Sequence, residues 1–233
     1  MTSVTFKLDD LYNTEAEFTL PDGKVISVRI LTDAEVTMRD LEAVKAASAV
    51  EVELRDEETD RYKDTMGPLQ PLGQDSLVAV VMAVASATMR EEVQRDHPFR
   101  YIPFPDDASE EEKRETVERR EEHEAKVRQR RSEELSKRLS ERRDELEVLE
   151  EDVLLKRAEG ALISTEAFNR RIDEFYCQTI YMSCRLDGKP AFDLDAIRKH
   201  GNSDGLNETV FRRLTDVYSE IDTADPWVLQ KHP

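Results

Sequence analysis

Apolar and polar positions alternate at the start of the chain. Val4, Phe6 and Leu8 alternate first, and Ala16-Glu17-Phe18-Thr19-Leu20 leads into Pro21-Asp22-Gly23-Lys24. Val25-Ile26-Ser27-Val28-Arg29-Ile30 follows. Proline presets a turn dihedral and glycine accepts positive φ, so this spacing predicts a small antiparallel hairpin or meander over residues 4–31. Two strands are marginal alone and need a helix over one face. Thr32-Asp33-Ala34-Glu35 has the form of a capping box, and Val36, Leu41 and Val44 give an apolar stripe to about Ala47. Residues 49–54 alternate and fit a strand or a continuing helix. Arg55 to Asp64 reads as a charged connection, and Met66 to Gly73 as a break.

A strongly apolar helix is predicted at about 76–94, capped by Asp75 or Ser76, with small residues that allow close packing. His97-Pro98-Phe99-Arg100-Tyr101-Ile102-Pro103-Phe104-Pro105 cannot be helical, because three prolines favour extended backbone. Its apolar side chains, Phe99, Tyr101, Ile102 and Phe104, dock either on the chain's own core or on a partner.

From Ser109 to Asp152 the sequence holds 17 acidic and 12 basic residues, with no Gly or Pro. Ser109 to Glu112 is a second capping box. One long helix is expected, about 66 Å at 1.5 Å per residue. It reads either as a solvated helix held by Glu–Arg pairs or as a short hairpin or coiled-coil seam near 135–155, on Leu139, Leu146, Leu149 and Val153. Gly160 to Ile163 is expected to end this segment. Ser164 or Thr165 then caps a helix over about 166–184, with Phe168, Ile172, Phe175, Tyr176, Thr179 and Ile180 as its stripe. Leu186 to Phe192 reads as a turn, Asp193 caps a short helix, and Asn207 caps a one-sided helix carrying Val210, Phe211, Leu214, Val217, Tyr218 and Ile221. Asp225-Pro226-Trp227 follows near the end.

These elements predict a mainly α protein with a small N-terminal antiparallel β element (α+β), and a long charged helix protruding from a helical body. The expected divisions are 1–105, 106–158 and 159–233.

The 233 residues carry 52 acids against 34 bases, a net charge of −18. Such a charge repels nucleic-acid phosphates and anionic lipid, so neither partner is expected. The longest apolar run, Leu77 to Ala85, is far short of the roughly 20 residues of a membrane span. The N-terminus lacks the pattern of a secretory signal, so a cytoplasmic protein is expected. Cys177 and Cys184 read as two buried or half-buried thiols, and the four histidines show no ligand spacing with them. No phosphate loop, nucleophile elbow or metalloprotease motif occurs. The expectation is a binding protein with no enzymatic activity, metal or cofactor.

Two stretches resemble a known family. Val25 to Glu35, a strand and then Arg29-x-Leu31-Thr32-x-Ala34-Glu35 opening a helix, resembles the opening of tail assembly chaperones of long-tailed bacteriophages. Cys184-x-x-Asp187-Gly188-Lys189-Pro190-x-Phe192, a short helix, a polar loop and Thr209 to Leu214 resemble the C-terminal part of that family. Together they span roughly residues 16–45 and 175–231, and the 109–152 helix departs from the family's pattern. The resemblance implies a chaperone that binds the tape measure protein, keeps it soluble and helps recruit tail tube subunits, acting in the host cytoplasm. The alternative is a structural adaptor or strut of a tail, neck or other complex, and self-association is open in either case. An acidic DNA mimic is disfavoured by the arginines interleaved through 113–143. Candidate partner-binding residues are Phe99, Tyr101, Ile102 and Phe104 in the strap, and Phe211, Leu214, Tyr218 and Trp227 at the end. For the terminal helix, plain core packing is the competing reading.

Overall fold

The computed structural model describes residues 15–104 and 109–223. The early Val4-Phe6-Leu8 alternation, Pro105 and Trp227 lie outside them. The chain divides into two units, Met1–Val52 with Glu166–Pro233, and Glu53–Thr165.

In the first unit, β1 (Glu15–Thr19) and β2 (Val25–Arg29) pair antiparallel, with Phe18 opposite Ile26. The turn closes through the Leu20 amide on the Lys24 carbonyl at 2.8 Å, and Gly23 takes a φ of +85°, which glycine adopts without strain. The first capping box forms as expected: the Thr32 amide donates to Glu35 Oε2 at 2.9 Å, and the Glu35 amide to Thr32 Oγ1 at 3.4 Å. It opens α1 (Asp33–Arg55). Residues 49–54 continue this helix, because Val50 and Leu54 extend the buried row begun by Ala43 at helical spacing.

The sheet is not confined to the N-terminus. α5 (Glu151–Ser183) passes directly into β3 (Cys184–Leu186), which pairs antiparallel with β2, Val28 opposite Cys184. Asp187 and Gly188, at φ +52° and +77°, form the tight connection to β4 (Lys189–Pro190). The result is an open four-stranded antiparallel sheet in the order β1-β2-β3-β4. Strands of two and three residues carry too little alternation to be seen in the sequence. The caps on the last two helices form as expected. Asp193 Oδ2 accepts from the Asp195 and Ala196 amides at the start of α6 (Leu194–Arg198). Asn207 Oδ1 accepts from the Thr209 amide at 2.9 Å and opens α7 (Glu208–Thr223). α7 packs on β1 and β2, and Phe211, Leu214, Tyr218 and Ile221 join Ile26, Val28, Cys177 and Ile180 in one core.

In the second unit, α2 (Asp60–Met66) occupies part of the expected charged connection. Thr59 caps it, accepting from the Tyr62 amide at 3.1 Å, and only Met66 is buried, so no apolar stripe announces it. A 3-10 turn at Gly67–Leu69 leads to α3 (Gln74–Asp96). Gly73 is its N-cap and Asp75 lies in the first turn, so neither Asp75 nor Ser76 caps it as expected. α4 (Glu110–Glu147) starts on the Ser109–Glu112 capping box and spans 38 residues, about 57 Å.

α4 does not protrude. α3 packs against it, the Gln74 side chain donates to the Glu147 carbonyl at 2.8 Å, and the extended segment after α3 also lies on it. The coiled-coil expectation is corrected as well. Helix α4 ends at Glu147, Val148 is 82% exposed, and α5 begins at Glu151. Leu146 and Val153 therefore belong to different helices, and the supposed seam is interrupted. α5 also runs through Gly160, where an end was expected. Ser164 and Thr165 do not cap; their hydroxyls donate back to the carbonyls of Gly160 and Ala161, at 3.0 and 2.9 Å.

Candidate functional site

The strap residues are docked on α4 through arginines rather than through an apolar seam. Arg120 Nε donates to the Ile102 carbonyl at 2.7 Å, and its guanidinium lies 4.0 Å from the Phe104 ring and 4.9 Å from Tyr101. Arg131 Nε donates to the His97 carbonyl at 2.8 Å and stacks 4.1 Å over Phe99. Each ring lies near a cation: Phe99, Tyr101 and Phe104 are exposed and Ile102 is half-buried. Of the terminal candidates, Phe211, Leu214 and Tyr218 are buried in the first unit's core. That is the packing alternative, and their side chains are not surface in this conformation.

Of the apolar stripe expected on α1, Val36 packs against the core and the other two residues face outward. Leu41 and Val44 are exposed, whereas Ala43, Val50 and the stem of Arg39 face inward. The Arg39 guanidinium lies 3.9 Å over the Phe175 ring, so its long apolar stem replaces an aliphatic core residue. At 3.6 residues per turn, Leu41 and Val52 fall opposite this buried row, with Met38 and Val44 on its two flanks. All four are between 45% and 70% exposed. On α5, Phe168 and Ile172, one turn apart, are exposed too. Among the described residues, the first unit thus carries an apolar helix side that nothing covers. A sequence signal existed: apolar residues recur on two sides of α1.

A second feature is a nest of charge between α5, α6 and the loop before α7. Glu174 is 1% exposed. It accepts from Arg198 Nε at 3.1 Å, from Arg170 at 3.1 Å and from Gln178 at 2.8 Å. Burial pushes its carboxyl up, but the hydrogen bonds from Arg198 and Gln178 outweigh burial and hold it below the usual carboxylate range. Beside it, His200 Nε2 lies 2.9 Å from Asp173 Oδ1, and Nδ1 lies 2.8 Å from Glu208 Oε2. Burial disfavours a charged imidazole, yet these two carboxylates hold its pKa above the ordinary value. The ring stacks on Phe211 at 3.9 Å.

The loop that presents His200 is tightly built. Gly201 takes φ +81°, and a Cβ at Gly205 would stand 1.9 Å from the Lys199 carbonyl oxygen, so only glycine fits there. No ligand spacing links the histidines to the cysteines along the sequence, yet the fold brings one of each together. Asp173, Cys177 and His200 bring their donor atoms within 4.8 Å of one another, because α5 places Asp173 and Cys177 one turn apart and the loop returns His200 to them. Spacing in the sequence could not show a ligand supplied by a loop more than twenty residues away. Both cysteines are free and buried, and desolvation pushes the Cys177 thiol up to about 12 and that of Cys184 to about 11.

The net negative charge does not gather into an acidic face. Along α4 the acids pair one turn apart with bases, as in Glu115–Arg119 at 3.2 Å, Glu124–Arg128 at 2.7 Å and Glu134–Arg138 at 2.9 Å. Among the described residues no single helix is long and apolar enough to cross a membrane. Residues Asp60–Leu69 and Gln74–Asp96 reach that length and composition only together, bent by 118°. No protein-family model, curated protein or solved structure matches the chain, so no feature specific to phage proteins stands beside the resemblance.

Proposed function

We propose that the chain is a tail assembly chaperone of a long-tailed bacteriophage. In this reading it binds the tape measure protein in the host cytoplasm, keeps it soluble and helps recruit tail tube subunits. The observation that carries the reading is the apolar side of α1 left exposed among the described residues, Met38, Leu41, Val44 and Val52, with Phe168 and Ile172 exposed on α5. A long helical client with apolar faces is the natural occupant of such a surface, read by anchors spaced three and four residues apart. Its affinity would come from apolar burial at about 25 cal/mol per Å², less the cost of association.

The family-like stretches also keep company in the fold. Val28 of the first pairs with Cys184 of the second. Arg29 donates to Glu35 at 2.9 Å, and Arg185 stands 3.8 Å from the same carboxylate. Stretches about 150 residues apart in sequence thus share one sheet and one ion-pair cluster, as parts of one family unit would.

Co-expression with tape measure fragments tests the reading. The full chain is expected to raise the fragments' soluble yield and to co-purify with them. Met38→Glu with Leu41→Glu should abolish both while leaving the circular dichroism unchanged. Fragments that stay insoluble beside the wild-type chain would end the reading, and unimpaired capture by the double variant would remove α1 as its surface. A structural adaptor, unlike a chaperone, would remain in purified particles.

A further inference from the structure

We propose that Asp173, Cys177 and His200 form a zinc site in the first unit, independent of any client binding. A buried thiol, an imidazole and a carboxylate converging from a helix and a loop are the donor set that zinc selects. Donor atoms on a tetrahedral ion at about 2.0–2.3 Å stand about 3.3–3.8 Å apart, so a group already within 4.8 Å closes on the ion with side-chain adjustment alone.

The surrounding contacts are those of a supported site. His200 would ligate through Nε2, the nitrogen now facing Asp173 at 2.9 Å, while Nδ1–H donates to Glu208 at 2.8 Å. A carboxylate on the far imidazole nitrogen fixes the tautomer and ring orientation of a metal-bound histidine. Phe211 stacked on the ring and the closed loop from Lys199 to Leu206 hold it in place. Asp173 Oδ1 would bind the ion while its other oxygen stays on Arg170 at 2.8 Å. Glu174 is already committed to Arg198 and Arg170 and is not a ligand. Binding removes the proton of the Cys177 thiol, together with any proton on His200 Nε2, and leaves a thiolate and a neutral imidazole on the ion. Water takes the fourth position. Asp173 and His200 are only half-buried, which gives the ion its way in.

Cobalt(II) titration of the chelator-treated full chain tests the proposal. One equivalent should produce intense tetrahedral visible bands and a near-ultraviolet thiolate-to-cobalt band, and zinc should displace both. Cys177→Ser should lose the near-ultraviolet band, and Cys184→Ser should keep it. If Cys177→Ser does not fold, X-ray absorption at the zinc edge of the wild-type protein decides: one sulfur with nitrogen and oxygen neighbours supports the site. A spectrum of octahedral cobalt, a zinc shell without sulfur, or a thiolate band surviving in Cys177→Ser would overturn it and leave an imidazole bridging two carboxylates. Loss of tape measure capture would not bear on it.

Discussion

The two units are held together by different chemistry. In the first, α7 lays Phe211, Leu214, Tyr218 and Ile221 on the β1–β2 face, and the few buried charges are paired. In the second, Leu77, Val81, Val93, Val127 and Leu146 are buried as well, but beside them the long helix turns the half-buried Arg120, Arg131 and Arg138 toward its neighbours. Their stems cover apolar surface, and their forks reach carbonyls, ring faces and the Glu92 and Asp96 carboxylates. Apolar burial resists salt and tolerates no charge. Arginine contacts tolerate polar neighbours and lose strength one by one. The contrast predicts that single substitutions act cooperatively in the first unit and locally in the second.

The largest effect is expected from Phe211→Asp with Tyr218→Asp. Each places a charge without a partner in the first unit's core, and loss of one such aromatic even to alanine costs about 3–5 kcal/mol. The variant should lose its cooperative unfolding transition in circular dichroism. If it folds and only client capture is lost, these residues serve an interface after all.

Arg198→Ala comes next. It strips the main partner from Glu174, a carboxylate only 1% exposed. Glu174 keeps Arg170 and Gln178, so the loss is that of the charge-assisted bonds from Arg198, about 1.5–3 kcal/mol. Urea denaturation should show that loss, and Arg198→Ala with Glu174→Gln should recover a measurable part of it. Without recovery, the cost of Arg198→Ala is lost packing and not a stranded charge.

The same contrast explains what the sequence made legible. The hairpin, the capping boxes at Thr32 and Ser109 and the caps at Asp193 and Asn207 rest on contacts within a few residues, and all formed. So did the one-sided pattern of α7, since its face meets an apolar sheet. Some local signals failed too, since Gly73 opens α3 in place of Asp75 or Ser76, and α5 runs through Gly160 and Ser164. The other failures come from distant partners. β3 and β4 exist because β2 offers an edge, and their few residues carry no period of their own. α4 hides its packing face because only Thr116, Val127 and Leu146 are buried along its 38 residues, with half-buried arginines between them, which makes a docked helix read as a solvated arm. On α1, the visible stripe through Leu41 and Val44 was the outer one, while an arginine stem and alanines did the packing. Of the candidate sites, the strap aromatics were legible as docking residues, though not that cations would receive them. The Asp173–Cys177–His200 group depends on the turn after α6 and was invisible.

A smaller effect sits at the junction of strand and helix in the first unit. Arg29 holds the Glu35 carboxyl at a pKa of about 2, against an ordinary value of 4.5. A carboxyl lowered in the folded state stabilises it fully above about pH 4.5, and that contribution fades as pH falls toward about 2. Glu35→Gln should cost about 1–3 kcal/mol at neutral pH, the usual worth of a charge-assisted bond. The stability difference between variant and wild type should shrink as the pH is lowered through this range. A difference that stays constant with pH would assign the effect to the cap geometry alone.

The finest test falls on Arg131 in the second unit. This side chain caps the end of α3 by donating to the His97 and Gln94 carbonyls, at 2.8 and 3.2 Å, and covers the Phe99 ring. A cation is favoured there, because the last carbonyls of a helix carry partial negative charge and lack partners of their own. Arg131→Ala should cost about 1–2 kcal/mol, felt locally. Amide exchange over Phe99 to Ile102 should quicken by about 5–30-fold, the factor matching that energy. Amides of α7 should exchange as before. Arg131→Lys keeps the charge without the planar fork and should fall between. If the whole protein loses stability together, with strap and α7 amides quickening in step, the second unit is as cooperative as the first and the contrast between leucine-like and arginine-like packing does not extend to stability.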